Sequence, residues 1–219
     1  MHISEGFLPA SHAIGWWLAA APLLVMSIRR VNAILQTQPK SKLEFAAVGG
    51  FAFALSALKL PSVSGSCSHP VGAGLGAILL GPACMPAIGF GILLFQALLL
   101  AHGGLTTLGA NLFSLGIAGP WICYGCYRLA LLLGAPREAG VCIGAALGSL
   151  GTYAVTAFQL ALAYPSSAGG WEASFVKFLS IFAVTQVPLA MSEGLLTVLV
   201  LRALEKSQIT PGVLRGAGA

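Results

Sequence analysis

Long apolar segments separated by short polar connections are the feature that most limits how this chain can fold. About seven such segments follow one another, at residues 13–35, 43–60, 70–80, 83–101, 105–133, 139–164 and 173–204. All but the third reach the roughly 17 residues that a membrane-spanning helix requires. Only 8% of the residues are charged, whereas soluble domains carry roughly a quarter. The sequence therefore predicts an all-α integral membrane protein with a single transmembrane domain over residues 1–219.

The third segment does not fit a simple crossing helix. Residues 70–80 would form a helix only about 16 Å long. A half-helix buried among the other helices is compatible with a membrane bundle. We therefore expect a bundle of about seven transmembrane helices, with a break or kink of the fifth at Gly119-Pro120.

Positive charges indicate the orientation in the membrane, because Lys and Arg concentrate in cytoplasmic connections. They cluster at the end of the first segment and in the connection after it, around the fifth-to-sixth connection, and at and beyond the end of the last segment. These residues are Arg29, Arg30, Lys40, Lys42, Arg128, Arg137, Arg202, Lys206 and Arg215. We expect the N-terminus outside and a cytoplasmic tail at residues 205–219. The histidines, His2, His12, His69 and His102, then all lie at the outer face.

The first two residues could form a metal chelate. We expect no signal peptide ahead of Met1. Methionine aminopeptidases require a small second residue and His2 is bulky, so we expect Met1 to be retained with a free terminal amine. That amine, the His2 backbone nitrogen and His2 Nδ1 would close two fused chelate rings on one ion. Three nitrogens in a plane suit Ni²⁺, Cu²⁺ or low-spin Co²⁺ better than Mg²⁺ or Ca²⁺. The alternative is a histidine placed at the second position by chance.

His69 is the candidate for a fourth ligand. It ends the predicted outer loop at residues 61–69, and Pro70 restricts its backbone at the entry to the third segment. Together with Met1 and His2 on the same face, His69 would complete a plane of four nitrogens. The alternative is a solvated histidine in a loop that caps a helix.

Four other polar residues have both a functional and an ordinary structural interpretation. Glu5 could hydrogen-bond a metal ligand or be solvated at the interface. The polar patch from His102 to Asn111 could pin the N-terminal segment from below or serve helix–helix hydrogen bonding. Glu193, within an apolar segment, is interpreted as a structural pairing contact, with a second ion site or a coupling contact as alternatives.

Enzymatic motifs are missing from the sequence. It contains no Walker A, GxSxG or HExxH pattern, so we expect that the chain does not hydrolyse ATP and that any transport is either passive or driven by another subunit. Cys123 and Cys126 have the Cys-x-x-Cys spacing of zinc and redox sites. Inside an apolar segment, however, cysteine behaves as a small hydrophobic residue. A membrane redox protein and a stand-alone metal channel are the alternatives from other classes.

The N-terminal sequence Met-His-Ile-Ser-Glu-Gly-Phe-Leu-Pro resembles the CbiM/NikM family. These proteins are the substrate-binding S components of group I energy-coupling factor (ECF) transporters for cobalt and nickel. The resemblance continues through Ser-His-Pro-Val-Gly-Ala-Gly-Leu-Gly, His-Gly-Gly-Leu-Thr-Thr-Leu-Gly-Ala-Asn and Ser-Glu-Gly. It implies that the N-terminal segment, residues 1–12, folds into the outer mouth of the bundle. The implied metal ligands are the Met1 amine, the amide and imidazole nitrogens of His2, and His69.

The resemblance also implies a substrate, a location and partners. It implies capture of Co²⁺, or less favourably Ni²⁺, at the outer face of the bacterial inner membrane, for ATP-driven uptake that serves cobalamin synthesis. The implied partners are a CbiQ-type coupling protein, a CbiO-type ATPase and a small CbiN-type membrane protein, without nucleic acid. The Phe-Leu-Pro and His-Ala-Ile-Gly-Trp-Trp sequences are closer to CbiM than to NikM, so we expect Co²⁺. A Ni²⁺-specific member of the same family is the alternative.

Overall fold

Helices make up most of the chain in this computed structural model, which describes residues 2–58, 60–61 and 66–206. They are α1 (Ala10–Thr37), α2 (Ser41–Ser56), α3 (Ala73–Leu80), α4 (Met85–Leu99), α5 (Leu108–Asn111), α6 (Gly119–Leu132), α7 (Arg137–Ala163) and α8 (Gly170–Lys206). A 3-10 turn (Pro82–Cys84) leads into α4, and a π-helical turn (Leu112–Ala118) joins α5 to α6. The helices thus follow the seven apolar segments of the sequence.

Five spans within the described residues are long and apolar enough to cross a membrane. They are Ala10–Thr37, Pro82–Leu99, Leu108–Leu132, Arg137–Ala163 and Gly170–Lys206. The α2 helix has 16 residues, and α3 has 8 and is buried along its whole length, as expected for a half-helix inside a bundle. The chain is a multi-pass membrane protein, and the predicted helical membrane bundle is confirmed.

Small residues allow the helices of the bundle to approach one another closely. The α7 helix packs against both α6 and α8. A Cβ atom added to Gly148 would lie 2.6 Å from the Cβ of Cys123 on α6, and one added to Gly194 would lie 2.7 Å from the Cys142 carbonyl oxygen. Large apolar side chains instead point outward, as suits a surface that faces lipid; examples are Leu18, Leu132, Leu133 and Val184.

The predicted break in the fifth segment lies just ahead of Pro120. Proline has no N–H to donate, and the helix widens over the preceding turn, where the Gly119 N–H donates to the Ser114 carbonyl five residues earlier. Such π-helical turns are a recognised way for a helix to accommodate an interruption. The span continues through the interruption to Leu132.

A small antiparallel sheet, which the sequence did not predict, places the N-terminus beside the segment that leads to His69. Strand β3 (Ser66–Ser68) lies between β1 (His2–Ile3) and β2 (Leu60–Pro61). In the register of β1 and β3, His2 is opposite Cys67. Strands of two or three residues are too short for a detectable alternation of polar and apolar residues, which explains the omission.

Three parts of the sequence predictions lie outside the described residues. These are Met1, residues 62–65 of the loop predicted at 61–69, and residues 207–219 of the predicted tail.

Candidate metal centre

Three imidazoles converge in the interior of the bundle, next to the small sheet. The ring centroids of His2, His69 and His102 lie 4.5 to 4.8 Å apart. One nitrogen of each ring lies within 4.8 Å of the others, and the three residues are at most 1% exposed. Two nitrogens on opposite sides of one transition-metal ion are about 4 Å apart. Small side-chain adjustments would therefore bring these nitrogens to one ion.

The three histidines come from separate parts of the chain. His2 lies in β1, His69 follows β3, and His102 lies in the turn between α4 and α5. The sequence predicted His69 as a ligand and His102 only as a neighbour of the ligands. In the structure the His102 ring lies 4.8 Å from the His2 ring, nearly as close as the His69 ring at 4.5 Å. This makes His102 a third imidazole of the same cluster.

A chain of hydrogen bonds sets the tautomer of His2. The Ser56 hydroxyl donates to the Phe53 carbonyl at 2.8 Å and therefore accepts a hydrogen bond from the Gln96 amide nitrogen. The Gln96 amide oxygen then faces His2 Nε2 at 2.8 Å. Because an amide oxygen only accepts, the proton of the neutral imidazole is on Nε2 and the lone pair on Nδ1. Nδ1 is also the atom that the predicted chelate requires.

His69 has the opposite tautomer. Its Nδ1 lies 2.8 Å from the Pro70 carbonyl oxygen, which only accepts, so Nδ1 carries the proton. The lone pair is then on Nε2, which is buried and has no hydrogen-bond partner among the described residues. Each of these two histidines thus uses one nitrogen for a hydrogen bond, which places its lone pair on the other nitrogen.

Side chains from the turn and helix after His102 hold the N-terminal strand. The Ile3 N–H donates to Asn111 Oδ1 at 2.8 Å, and Asn111 Nδ2 donates to the Ile3 carbonyl at 3.0 Å. Thr107 adds a second donor to that carbonyl at 2.8 Å, and the Glu5 N–H donates to the Gly103 carbonyl at 3.0 Å. Asn111 therefore contacts the N-terminal backbone, one of the two alternatives for the polar patch.

Glu5 is exposed and lies at the rim of the same contact. Its carboxylate accepts the Thr106 N–H at 3.3 Å, and the Thr106 hydroxyl accepts the Gly6 N–H at 3.0 Å. These reciprocal bonds order the N-terminal segment near the surface.

Gln96 is a residue of the site that the sequence analysis missed. It is fully buried on α4, and its backbone carbonyl also accepts the His102 N–H at 3.1 Å. The available signal was a lone amide side chain in the otherwise apolar segment 83–101, because polar groups at membrane depth are costly and usually face protein.

The remaining candidates lie outside the histidine cluster. The Cys123 thiol contacts the Gly74 carbonyl at 3.7 Å. In the described part of the chain, one group of at least three potential metal ligands is close enough to share an ion, and it consists of the histidines alone. The Glu193 carboxylate lies outside this cluster and accepts the N–H groups of Val71 and Gly72.

Burial favours the neutral, metal-binding form of His69. This residue lies between β3 and α3, outside the five membrane-spanning segments. Burial, together with the neighbouring positive charge and imidazoles, lowers the pKa of His69 well below its usual 6.5. Since a protonated imidazole cannot bind a metal, the shift keeps Nε2 ready for an ion at neutral pH.

Comparison with known proteins identifies the family. Residues 2–210 match the CbiM family, described as "Cobalt uptake substrate-specific transmembrane region". The chain belongs to the CbiM family. The resemblance seen in the sequence is thereby confirmed, and this CbiM-family chain is a transport protein and not an enzyme.

Curated relatives and solved structures agree with the family. The chain is 57% identical over 206 residues to "Cobalt transport protein CbiM" of Chlorobium limicola, which covers 94% of this chain and 81% of the relative. It is also 57% identical over 207 residues to the protein of the same name from Streptomyces coelicolor, covering 94% and 89%. A "Truncated Transition metal Transporter" crystal structure superposes with a TM-score of 0.83 at 28% identity, covering 94% of this chain and 99% of the other.

We expect Gln96→Leu to weaken the binding of Co²⁺, used as the probe ion, by about 10- to 100-fold, because the hydrogen bond that sets the His2 tautomer is lost. Competition with a chromogenic chelator in detergent measures the affinity. Gln186→Leu is the matched control, since Gln186 is a buried amide without a hydrogen-bond partner among the described residues. An unchanged affinity of Gln96→Leu would contradict this role of Gln96.

We expect the free energy of unfolding of the metal-free protein to fall as the pH drops below 6.5, since the pKa of His69 is lowered in the folded state. The unfolded chain then takes up a proton on His69 that the folded chain does not. The contribution of His69 to the free energy of unfolding is complete above pH 6.5, and below that pH it declines by at most about 1.4 kcal/mol per pH unit. Denaturant titrations at several pH values should show that the free energy of unfolding changes less with pH in His69→Leu than in the wild type. The same dependence on pH in both proteins would contradict the lowered pKa of His69.

Proposed function

We propose that this chain is the ion-capturing subunit of an energy-coupling factor importer and that it takes up Co²⁺. The cluster of three buried imidazoles beside the N-terminal strand carries the proposal, since a cluster of neutral nitrogen donors suits late transition metals. The chain's family, and relatives named cobalt transport proteins, support Co²⁺ as the substrate.

The proposed ligands are the Met1 amine, the His2 amide nitrogen, His2 Nδ1 and His69 Nε2. The tautomers of both histidines support this set, because each places its lone pair on the nitrogen that the set requires. The pairing of His2 with Cys67 also supports it. His69 follows Cys67 by two residues, so the pairing brings the N-terminal end of the chain beside the segment that carries His69. His102, whose ring contacts both, would close the pocket as a neighbour of the ion or an additional donor.

Co²⁺ selectivity does not follow from the donor atoms. For a given set of nitrogen ligands, affinity rises from Co²⁺ to Ni²⁺ and Cu²⁺. We therefore propose that the geometry of the pocket, metal availability and the partner proteins decide between ions. The Ni²⁺-specific alternative uses the same atoms.

We propose that the protein lies in the bacterial inner membrane with its N-terminus outside. The positively charged connections support this orientation. It places segments 1–12 and 61–69 at the outer mouth and residues 205–219 in the cytoplasm. The ion pairs Arg202–Glu138 and Arg137–Glu205, which join α7 to α8, then lie at the cytoplasmic end.

The sequence carries no nucleotide-binding motif, and we propose that partner proteins supply the energy for uptake. We propose a CbiO-type ATPase, a CbiQ-type coupling protein and a CbiN-type small membrane protein as these partners. The imported cobalt would serve cobalamin synthesis.

Adding one residue ahead of Met1 should abolish tight Co²⁺ binding, because the terminal amine is displaced and the two fused chelate rings cannot form. His2→Ala and His69→Ala should be comparably damaging. Equilibrium titration in detergent, with an equal addition after Ala219 as the control, measures the effect. Normal Co²⁺ affinity of the N-terminally extended protein would refute the chelate.

Co²⁺ accumulation should require the partners and ATP. Proteoliposomes that contain this chain with the coupling protein and the ATPase should accumulate radioactive Co²⁺ with ATP, and vesicles with this chain alone should not. Uptake by the chain alone would support a stand-alone channel. Loss of uptake in Cys123→Ser, with normal uptake after N-terminal extension, would instead favour a redox protein.

A further inference from the structure

The backbone that follows His69 is held by a carboxylate from α8. Glu193 is 2% exposed, and its two oxygens accept the Val71 N–H at 2.9 Å and the Gly72 N–H at 2.7 Å. A carboxylate in the interior of a membrane bundle is costly unless it is well paired. Its position therefore calls for an explanation beyond ordinary packing.

The contact leads directly to the imidazole of His69. The Val71 N–H and the Pro70 carbonyl belong to the same peptide group, which is planar, with its N–H and C=O pointing in opposite directions. Glu193 accepts from the N–H side, and the carbonyl accepts the His69 Nδ1 proton at 2.8 Å. One peptide group thus lies between the carboxylate and the imidazole.

Hydrogen bonds in series polarise one another, particularly where the local dielectric constant is low. A negative charge at the N–H end of the peptide group increases the electron density on its carbonyl oxygen. The carbonyl then binds the His69 Nδ1 proton more strongly. Histidine ligands of metals commonly donate their second N–H to a carboxylate or a backbone carbonyl, which fixes the tautomer and strengthens the ligand.

We propose that Glu193 is a positioning residue of the metal centre, acting through the Pro70–Val71 peptide group to orient His69 and keep the lone pair on its Nε2. The inference rests on the proposed function, since it assigns a role to Glu193 at the same site. It differs from simple anchoring of a loop because the negative charge acts on the donor strength of one ligand.

Two further features keep the segment in place. On the other side of His69, the Ser68 hydroxyl lies 2.9 Å from the hydroxyl of Thr185, so α8 contacts the chain both before and after the ligand. Gly72 has a left-handed backbone with φ of 70°, and a Cβ atom there would lie 2.8 Å from the Ala52 Cα. The path of the backbone between His69 and α3 is therefore closely defined.

Glu193→Gln tests the charge with little change of shape. The Gln oxygen can accept only one of the two N–H groups, and its NH₂ would face the other donor. We use Cu²⁺ as the probe ion, because its tighter binding keeps the affinity of weakened variants measurable. We expect the affinity of Glu193→Gln to fall by about 10- to 100-fold, with a changed electron paramagnetic resonance spectrum of the bound Cu²⁺, and Glu193→Asp to recover part of it.

Thr197→Val is the matched control, since Thr197 is buried one turn further along α8 and its hydroxyl donates to the Glu193 backbone carbonyl, not to the Glu193 carboxylate. It should bind Cu²⁺ as the wild type does. In a His69→Ala background, Glu193→Gln should cause no further loss, because the residue acts through His69. An equal loss with and without His69, or no loss at all, would overturn the proposal. Wild-type affinity of His69→Ala itself would instead refute the proposed metal site.

A measurement on the wild type covers the case in which the Glu193 variants do not fold. Nitrogen-15 chemical shifts of the metal-free protein, with His69 assigned through its absence in His69→Ala, distinguish the two tautomers. We expect the Nδ1–H tautomer at His69. The Nε2–H tautomer would overturn the proposal, because the Pro70 carbonyl would then have no proton to accept.

Discussion

The pairing of the N-terminal backbone with Asn111 is the interaction on which the candidate metal centre depends. When a strand end lies among apolar helices, its N–H and C=O groups need hydrogen-bond partners, since each group without one costs roughly several kcal/mol. Asn111 supplies both an acceptor and a donor to Ile3, and Thr107 adds a donor. Pairing of β1 with β3 satisfies the other edge. His2 is held in the interior as a result.

A second constraint acts on the protons of the histidines. A neutral imidazole has one donor and one acceptor nitrogen, so fixing the donor also fixes the atom that can bind a metal. Gln96 does this for His2, and the Pro70 carbonyl does it for His69. Neither partner is charged, and each is fixed in turn by a further hydrogen bond. The surroundings thus select, without any ion, the nitrogens that would face a metal in the proposed site.

The helices could be predicted from the sequence because their signal is local. A run of apolar residues of membrane-spanning length has to form a helix, whose backbone groups pair within the run, and α1, α4, α7 and α8 follow such runs closely. The buried α3 was also recognisable, since it is too short to cross a membrane. The small sheet was not, because its strands are short and β1 lies far from β3 in the sequence.

The residue pattern alone predicts a membrane bundle, and it indicates that His2 and His69 belong to one candidate site. It could not assign Gln96 to the site, bring His102 into the cluster, choose between the alternatives for Asn111, or show which backbone groups Glu193 contacts. These depend on contacts between residues 94 to 122 positions apart in the chain. Only tertiary packing decides such contacts, because no local pattern of residues records which distant backbone group a buried polar side chain will meet.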